Sequence, residues 1–347
     1  SRSAHSRRRL TNSKNAAQLM KICIVVDKMI PAYRYGGTER VVTWLGRGLQ
    51  EMGHEVAYLA RKGSELDFAP VDELDITRSV ESQAPSGTDL IHLHSDLEWP
   101  QDIPACMTRH GNTNVARTFH PNTIFVSRKH AEIHGARAFV NNGLDQRGYG
   151  EPDFETGDDA RWIFLGKAAW SVKNVRGAID IARGAGHELD VLGGTRLNFK
   201  MGFRFTPDRR VHFHGMVGGE EKYRLMRRAR RLLFPVQWHE PGGLAIIESM
   251  YFGLPVLATP YGSLPEHVTE EVGVLSNSLS ELVEAARDHA KYDRRAIHEH
   301  WRQNFTHRHM AGKYAAYYEQ ILGGEDLHAT PIESPVVRQK KLFDWLP

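Results

Sequence analysis

Short apolar runs alternate along the chain with segments in which apolar residues recur every three or four positions. Residues 21–26 and 56–60 are two such runs. Between them, the apolar positions from Val41 to Met52 have helical spacing, and Gly53 follows where a helix would end. Continuous apolar strands joined through helices are typical of a parallel sheet that is covered on both faces. The opening segment therefore predicts an α/β fold.

The same alternation continues through the rest of the chain. Further strands are predicted over residues 89–94, 115–120, 124–127, 162–166, 189–194 and 211–215. Residues 146–160 lose this periodicity and are rich in glycine, proline and acidic residues, which is typical of a linker. We therefore predict a first domain over residues 21–150 and a second over residues 151–321.

The second half contains a strand–loop–helix–strand unit with a glycine-rich loop. Strands are predicted over 232–234 and 254–259 and a helix over 244–252, with Gly242 and Gly243 just before the helix. The first N–H groups of a helix have no partner within it and attract anions, and glycines let an anion approach the backbone closely. The unit therefore predicts an anion-binding site.

Two glutamates, Glu240 and Glu248, bracket this site with seven residues between them. Ionised carboxylates accept hydrogen bonds and donate none, so a pair beside an anion site suits a ligand with both hydroxyls and phosphates. A nucleotide sugar is such a ligand, since acidic residues hold ribose hydroxyls in dinucleotide-binding folds. The alternative is that the helix dipole favours Glu240 and that Glu248 lies on a solvated face.

The segment Glu240-Pro241-Gly242-Gly243-Leu244, with Glu248 and Gly253-Leu254-Pro255-Val256 after it, resembles the E-x7-E signature of retaining glycosyltransferases of the GT-B fold, family 4. Typical members have an aromatic residue where this chain has Gly242. The resemblance covers most of residues 21–320. It implies two Rossmann-like, doubly wound domains that face each other across a cleft. The first would bind the acceptor and the second the donor.

The resemblance implies a role for each residue of this unit. Glu240 would contact the donor sugar as a catalytic residue, and Glu248 would hold the ribose hydroxyls. The backbone at Gly242, Gly243 and Leu244 would contact the donor diphosphate.

Outside this unit, the resemblance points to two glycines and two lysines. In the family, a loop at the position of Gly36 and Gly37 approaches the donor diphosphate. Lys167 and Lys173 would hold the diphosphate as point charges, with Lys173 also counted as catalytic. Lys167 stands where the family commonly has an arginine, so its charge is kept but the planar bidentate contact of a guanidinium with the diphosphate is lost. The simpler interpretations are a glycine turn and two solvated surface lysines.

Histidines lie near the ends of two predicted strands, at His92, His94 and His120. The carboxyl ends of parallel strands border the ligand crevice, and the family often has a histidine near the donor sugar at the position of His120. His120 is therefore the predicted catalytic histidine, with a hydrogen-bonded structural histidine as the alternative. Because metal sites need three or four ligands, and because the resemblance implies none, we expect no metal. No cofactor is expected beyond the nucleoside-diphosphate sugar as co-substrate.

Residues Lys222–Arg231 contain six cations around a narrow apolar stripe. This composition predicts a surface helix that covers the sheet with its stripe. The alternative is a basic patch that contacts anionic lipid or an acidic acceptor. The resemblance also implies that the segment from about 322 to 347, which ends in the apolar stretch 342–346, packs back on the first domain.

Composition narrows the class of protein. The chain has 347 residues, enough for two domains, and its net charge of +3 gives no argument for nucleic acid. Two cysteines cannot form a disulfide framework, which favours a cytoplasmic setting, and no apolar run is long enough for a transmembrane helix. Residues 1–20 lack an apolar signal-peptide core and are interpreted as a disordered tail.

The sequence thus predicts a retaining, metal-independent transfer of a sugar from a nucleoside-diphosphate sugar to the hydroxyl of a glycan, glycolipid or small molecule. It leaves open a nucleotide-sugar epimerase or hydrolase of the same fold. It also leaves open a non-catalytic module that binds a nucleotide sugar or a membrane surface.

Overall fold

The computed structural model describes residues 19–32, 36–155, 161–199, 203–288, 292–337 and 342–347. Nearly all of the predicted tail, residues 1–20, lies outside the described residues. Within them, no helix has the length and apolar character needed to cross a membrane.

The first part of the chain forms a six-stranded parallel sheet in the order β3-β2-β1-β4-β5-β7. Its elements are β1 (Lys21–Val26), α1 (Gly37–Glu51), β2 (Glu55–Ala60), β3 (Val71–Glu73), β4 (Leu90–Leu93), β5 (Ala105–Arg109), β6 (Arg117–Phe119), β7 (Thr123–Phe125) and α2 (Arg128–Ile133). β1 is central, and every side chain in it except Lys21 is buried, as its continuous apolar run predicts.

The second part forms another six-stranded parallel sheet, in the order β12-β9-β8-β13-β14-β15. Its elements are β8 (Arg161–Leu165), α3 (Val175–Ala185), β9 (Glu188–Leu192), β10 (Leu197–Asn198), β11 (Arg204–Phe205), β12 (Val211–Phe213), α4 (Gly219–Arg228), β13 (Leu232–Phe234), α5 (Leu244–Tyr251), β14 (Val256–Ala258), α6 (Leu264–His267), β15 (Gly273–Leu275), α7 (Leu279–Arg287) and α8 (Arg294–Asn304). The predicted arrangement of two Rossmann-like domains is confirmed.

One strand of the first sheet differs from the sequence prediction. The fifth strand of the first domain is β5 at Ala105–Arg109, which the apolar pattern did not single out. The predicted strand over 115–120 shortens to β6, which leaves the parallel sheet and pairs antiparallel with β16 (Ile332–Ser334). The carboxyl end that borders the cleft therefore belongs to β5, and not to the segment that ends at His120.

The chain returns to the first domain earlier than the predicted boundary at residue 321. Helix α9 (His307–Leu322) packs along α1, and its buried Tyr314 and Tyr318 hydroxyls bond Thr108 and His92 of the first sheet. Because these contacts are buried and hydrogen-bonded, α9 belongs structurally to the first domain.

The last residues lie elsewhere than predicted. Segment 322–337 stays on the first domain, where β16 joins β6. Phe343 and Leu346, however, donate backbone hydrogen bonds to Gln237 and Asn277, and Trp345 packs against the core of the second domain. The expectation that the apolar stretch 342–346 docks on the first domain is therefore wrong, because its backbone groups find partners in the second.

Candidate active site

A cavity of about 460 Å³ lies between the two domains, at the carboxyl ends of their sheets. The first domain contributes Lys28, Gly36, Gly37, Glu39, Arg40, His110, Asn112 and Asn142 to its wall. The second contributes Gly166, Trp170, Lys173, Gly193, Lys222, Trp238, Glu240, Gly242, Gly243, Leu244 and Glu248. Most of the residues singled out in the sequence are thus brought together in one place.

The N-terminus of α5 opens into this cavity. Gly243, immediately before the helix, has φ of +53°, a left-handed conformation that favours glycine. The N–H groups of Leu244 and Ala245 donate to no acceptor among the described residues. Across the cleft, a Cβ at Gly37 would lie 3.7 Å from the Leu244 side chain. The glycine loop of the first domain therefore faces a set of open backbone donors, which suits a phosphate.

Gly242 allows a close contact between the domains. A Cβ built at Gly242 would lie 2.4 Å from Nδ2 of Asn142 and 3.0 Å from the Val126 side chain. Ser127 also crosses the gap, because its hydroxyl donates to the Pro241 carbonyl at 2.6 Å. A side chain at position 242 would therefore clash with Asn142 and Val126 of the first domain.

Glu240 and Lys173 are paired with each other. Lys173 Nζ donates to Glu240 Oε2 at 2.6 Å, and Trp238 Nε1 donates to the same oxygen at 2.6 Å. Asn174, in a left-handed conformation, caps α3 and fixes the turn that carries Lys173. Oε1 of Glu240 accepts no hydrogen bond from any described residue. The carboxylate is thus held by one oxygen, with the other left for a ligand.

Glu248 is held in the same way, by groups from three parts of the chain. Its Oε1 accepts hydrogen bonds from Arg40 of α1, from the Tyr149 hydroxyl at 2.5 Å and from Lys222 Nζ of α4 at 2.5 Å. Within the described structure, Oε2 has no hydrogen-bond donor. The alternative, in which Glu248 lies on a solvated face, is therefore wrong, because Glu248 is 1% exposed.

Two cations share the one anion of this cluster, and their pKa values reflect that imbalance. Burial alone raises the pKa of Glu248, but Arg40 and then Lys222 lower it to about 2. Burial and, to a smaller extent, repulsion by Arg40 lower the pKa of Lys222, which is about 8 despite the attraction of Glu248. At neutral pH the cluster carries one net positive charge beside the cavity.

The basic segment Lys222–Arg231 is not a uniform exposed patch. Lys222 faces the cavity, and Arg231 is buried and donates to the Asp288 carbonyl. Arg224 and Arg228 are exposed. Because two of the six cations are buried, the predicted lipid-contacting patch is much smaller than the sequence suggested.

The histidine that lines the cavity is His110, which follows β5. His110 Nε2 shares a hydrogen bond of 2.8 Å with His94 Nδ1, and burial lowers the pKa of His110 to about 3. The His94 ring packs in turn against that of His92, with 4.0 Å between ring centroids, and His92 is hydrogen-bonded to Tyr318 of α9 and Thr108 of β5. His120 is absent from the cavity wall and stacks on Trp99 with 3.7 Å between ring centroids. The predicted position of His120 is therefore wrong, because β6 leaves the parallel sheet.

Lys167 lies at the edge of the site. Its ammonium sits 5.1 Å from the Trp170 ring centroid, and its neighbours Gly166 and Trp170 line the cavity. Lys167 itself is not among the residues that line the cavity. Over the described ranges, no group of three or more His, Cys, Asp or Glu side chains could hold a metal ion.

Sequence reasoning missed Arg40, His110, Tyr149 and Lys222. Only His110 carried a usable signal, as a histidine followed by glycine after a short apolar run. The other three are polar residues on helices or in the linker, and periodicity gives no sign of what they contact across the cleft.

One segment of the second domain matches a known family. Residues 206–304 match the profile of the family described as Glycosyl transferases group 1, a range that includes Lys222, Glu240 and Glu248. No curated protein sequence matches the chain.

Solved structures of glycosyltransferases share the fold over most of their length. AviGT4, a glycosyltransferase involved in avilamycin A biosynthesis, is 21% identical, with 90% of this chain and 100% of that chain covered and a TM-score of 0.73. Sucrose-phosphate synthase from Thermosynechococcus elongatus is 18% identical, with 88% and 100% covered and a TM-score of 0.68. HepE from Anabaena, solved with UDP-glucose, is 16% identical, with 88% and 99% covered and a TM-score of 0.56. The chain therefore has the GT-B fold of glycosyltransferases, and its second domain carries the segment that matches the group 1 family.

Proposed function

We propose that this protein transfers a sugar from a nucleoside-diphosphate sugar to an acceptor hydroxyl, in the cavity between its two domains. One observation carries the proposal. Glu240 and Glu248 flank the N-terminus of α5, and each has one oxygen fixed by buried donors and the other without a donor among the described residues. Such a pair accepts hydroxyl hydrogen bonds on both sides of an anion site.

The parts of the donor match the parts of the cavity. Its diphosphate would lie against the Leu244 and Ala245 N–H groups, with the Lys173 and Lys167 ammonium groups beside it. The ribose would donate to Glu248 and the transferred sugar to Glu240. The HepE structure in complex with UDP-glucose supports a donor of this class.

In the proposed reaction, the bond between the anomeric carbon and the diphosphate oxygen breaks, and the nucleoside diphosphate leaves with the electron pair. The acceptor oxygen forms the new bond on the same face of the sugar, with retention. Its proton passes to the departing phosphate oxygen. Lys173 and the α5 N–H groups stabilise the charge that develops on the leaving group. The lowered pKa of His110 keeps its ring neutral at pH 7, so it would act as a hydrogen-bonding group near the sugar.

The test begins with the donor. Thermal shifts with UDP, GDP and ADP identify the nucleotide, because a ligand that binds the folded state stabilises it. Release of nucleoside diphosphate is then measured with and without candidate acceptors, and with EDTA present. Acceptor-dependent release unaffected by EDTA supports the proposal. Release or epimerisation without acceptor would instead indicate the hydrolase or epimerase, and binding without turnover a non-catalytic module.

Variants then locate the chemistry. Glu240→Gln should lower turnover about a hundredfold, as the loss of a preorganised contact does in other enzymes. Glu188→Gln is the matched control, since Glu188 lies on β9 outside the cavity. We expect His110→Ala to lower turnover more than His120→Ala. An unchanged rate for Glu240→Gln would remove this carboxylate from the mechanism. The anomeric configuration of the product, read by NMR, decides between retention and inversion.

A further inference from the structure

An apolar face points outward from the second domain, on the small hairpin formed by β10 and β11. The two strands pair antiparallel, with Leu197 opposite Phe205. The exposed fractions are 44% for Leu197, 73% for Phe199, 67% for Phe203 and 56% for Phe205. Because side chains alternate along a strand, all four share one face of the hairpin. A cluster of three exposed phenylalanines marks an interaction surface.

The opposite face of the hairpin is fixed to the domain. Arg204 is buried, donates to Thr206 Oγ1 and to the Thr195 carbonyl, and lies with its guanidinium 5.0 Å from the Phe213 ring centroid. Arg196 donates to the carbonyls of Thr206, Asp208 and Val211 at the base of the hairpin. The apolar face therefore cannot turn inward without breaking these buried contacts, and its exposure is built into the fold.

The charge around this face is positive. Arg209 and Arg210, which follow the hairpin, are exposed, whereas Arg196 and Arg204 are bonded to backbone carbonyls away from this face. Asp208 is already paired with Arg183 and Arg210. Arg176 and Arg209 are exposed, and Arg176 lines a shallow cavity together with Phe203 and Leu342. An apolar face with a cationic surround matches the boundary between acyl chains and anionic headgroups of a lipid surface.

We propose that this hairpin face, Leu197, Phe199, Phe203 and Phe205, docks the protein on an anionic lipid bilayer. A second copy of the chain fits less well, because a two-fold interface would bring the two cationic surrounds together. The hairpin begins a few residues after Gly193, which lines the cavity between the domains. The surface does not depend on the proposed sugar transfer.

The experiment measures sedimentation of the full chain with vesicles of phosphatidylcholine, with and without phosphatidylglycerol. Wild type is expected to bind the anionic vesicles more strongly, and less so as salt is raised. The triple variant F199S/F203S/F205S should bind at least about tenfold more weakly. Removing one fully buried aromatic side chain from the lipid lowers the affinity by more than about tenfold. Ile76→Ser is the matched control, because Ile76 is 65% exposed on the first domain and away from the hairpin.

A second variant separates charge from apolar contact. R176Q/R209Q should weaken binding to anionic vesicles and leave binding to neutral ones unchanged. The proposal is overturned if wild type binds neither kind of vesicle, or if the triple variant binds as strongly as wild type. Sedimentation velocity identifies the competing outcome, in which wild type is a dimer, the triple variant is a monomer and neither binds vesicles. Urea unfolding of the same variants shows that their fold is intact.

Discussion

In the cluster around Glu248, substitutions of two members should change the free energy of unfolding in opposite directions. Arg40 and Lys222 share the single carboxylate, and burial lowers the pKa of Lys222 from 10.5 to about 8. One pKa unit corresponds to about 1.4 kcal/mol, so its surroundings disfavour the ammonium by about 3 kcal/mol. Lys222→Met removes the charge and keeps the apolar stem. We therefore expect the free energy of unfolding to rise by about 1–3 kcal/mol, because the lowered pKa of Lys222 already includes its attraction to Glu248.

Glu248→Gln should have the reverse effect. It removes the one anion and leaves Arg40 and Lys222 buried together without a counter-charge. Breaking a buried pair from one side costs about 3–5 kcal/mol, and we expect a loss of that size. Arg224→Gln, on the exposed face of α4, the helix that carries Lys222, is the control and should change stability by less than about 0.5 kcal/mol.

The assay is urea unfolding at pH 7, followed by tryptophan fluorescence, with midpoints and slopes compared among the variants. Lys222→Met should also weaken nucleoside-diphosphate binding, because the cavity loses one positive charge. A Lys222→Met protein that is less stable than wild type by more than about 1 kcal/mol would refute the reasoning. It would mean that attraction to Glu248 outweighs the cost of burying a second cation.

Three further predictions concern Glu248, Gly242 and Trp238. The pKa of Glu248 is about 2 in the folded protein and ordinarily 4.5. As the pH falls from 4.5 to 2, the unfolded chain protonates Glu248 before the folded protein does, so about 3 kcal/mol of stability should be lost. Glu248→Gln should flatten the dependence of stability on pH over this range. Gly242→Ala should lower stability by about 1–3 kcal/mol in urea unfolding, and Asn142→Ala should relieve part of the loss because the new Cβ would lie 2.4 Å from its amide. Trp238→Phe should lower kcat about tenfold in the nucleotide-release assay with little change in KM, since Glu240 loses one of its two donors; an unchanged kcat would show that Lys173 alone positions the carboxylate.

The sequence by itself determined the local elements and the spacing of Glu240 and Glu248 on one short unit. The apolar run 21–26 became the central strand β1, and the helix predicted over 244–252 became α5 with Gly243 in the left-handed conformation. These outcomes depend on periods of two and 3.6 residues and on the conformational range of glycine, which act within a few neighbouring positions. The spacing of Glu240 and Glu248 was informative for the same reason, because one short unit places both.

Only the tertiary structure decided which distant groups complete the site. Arg40, Tyr149 and Lys222 meet at one oxygen of Glu248 from a helix of each domain and from the segment between the domains. His110 replaced His120 because β5, and not β6, joins the parallel sheet. The packing of one domain on the other sets these contacts across 26 to 208 residues of sequence. The hydrophobic periodicity of the sequence does not indicate this packing, since a polar residue on a helix has the same pattern whether it faces water or a buried carboxylate.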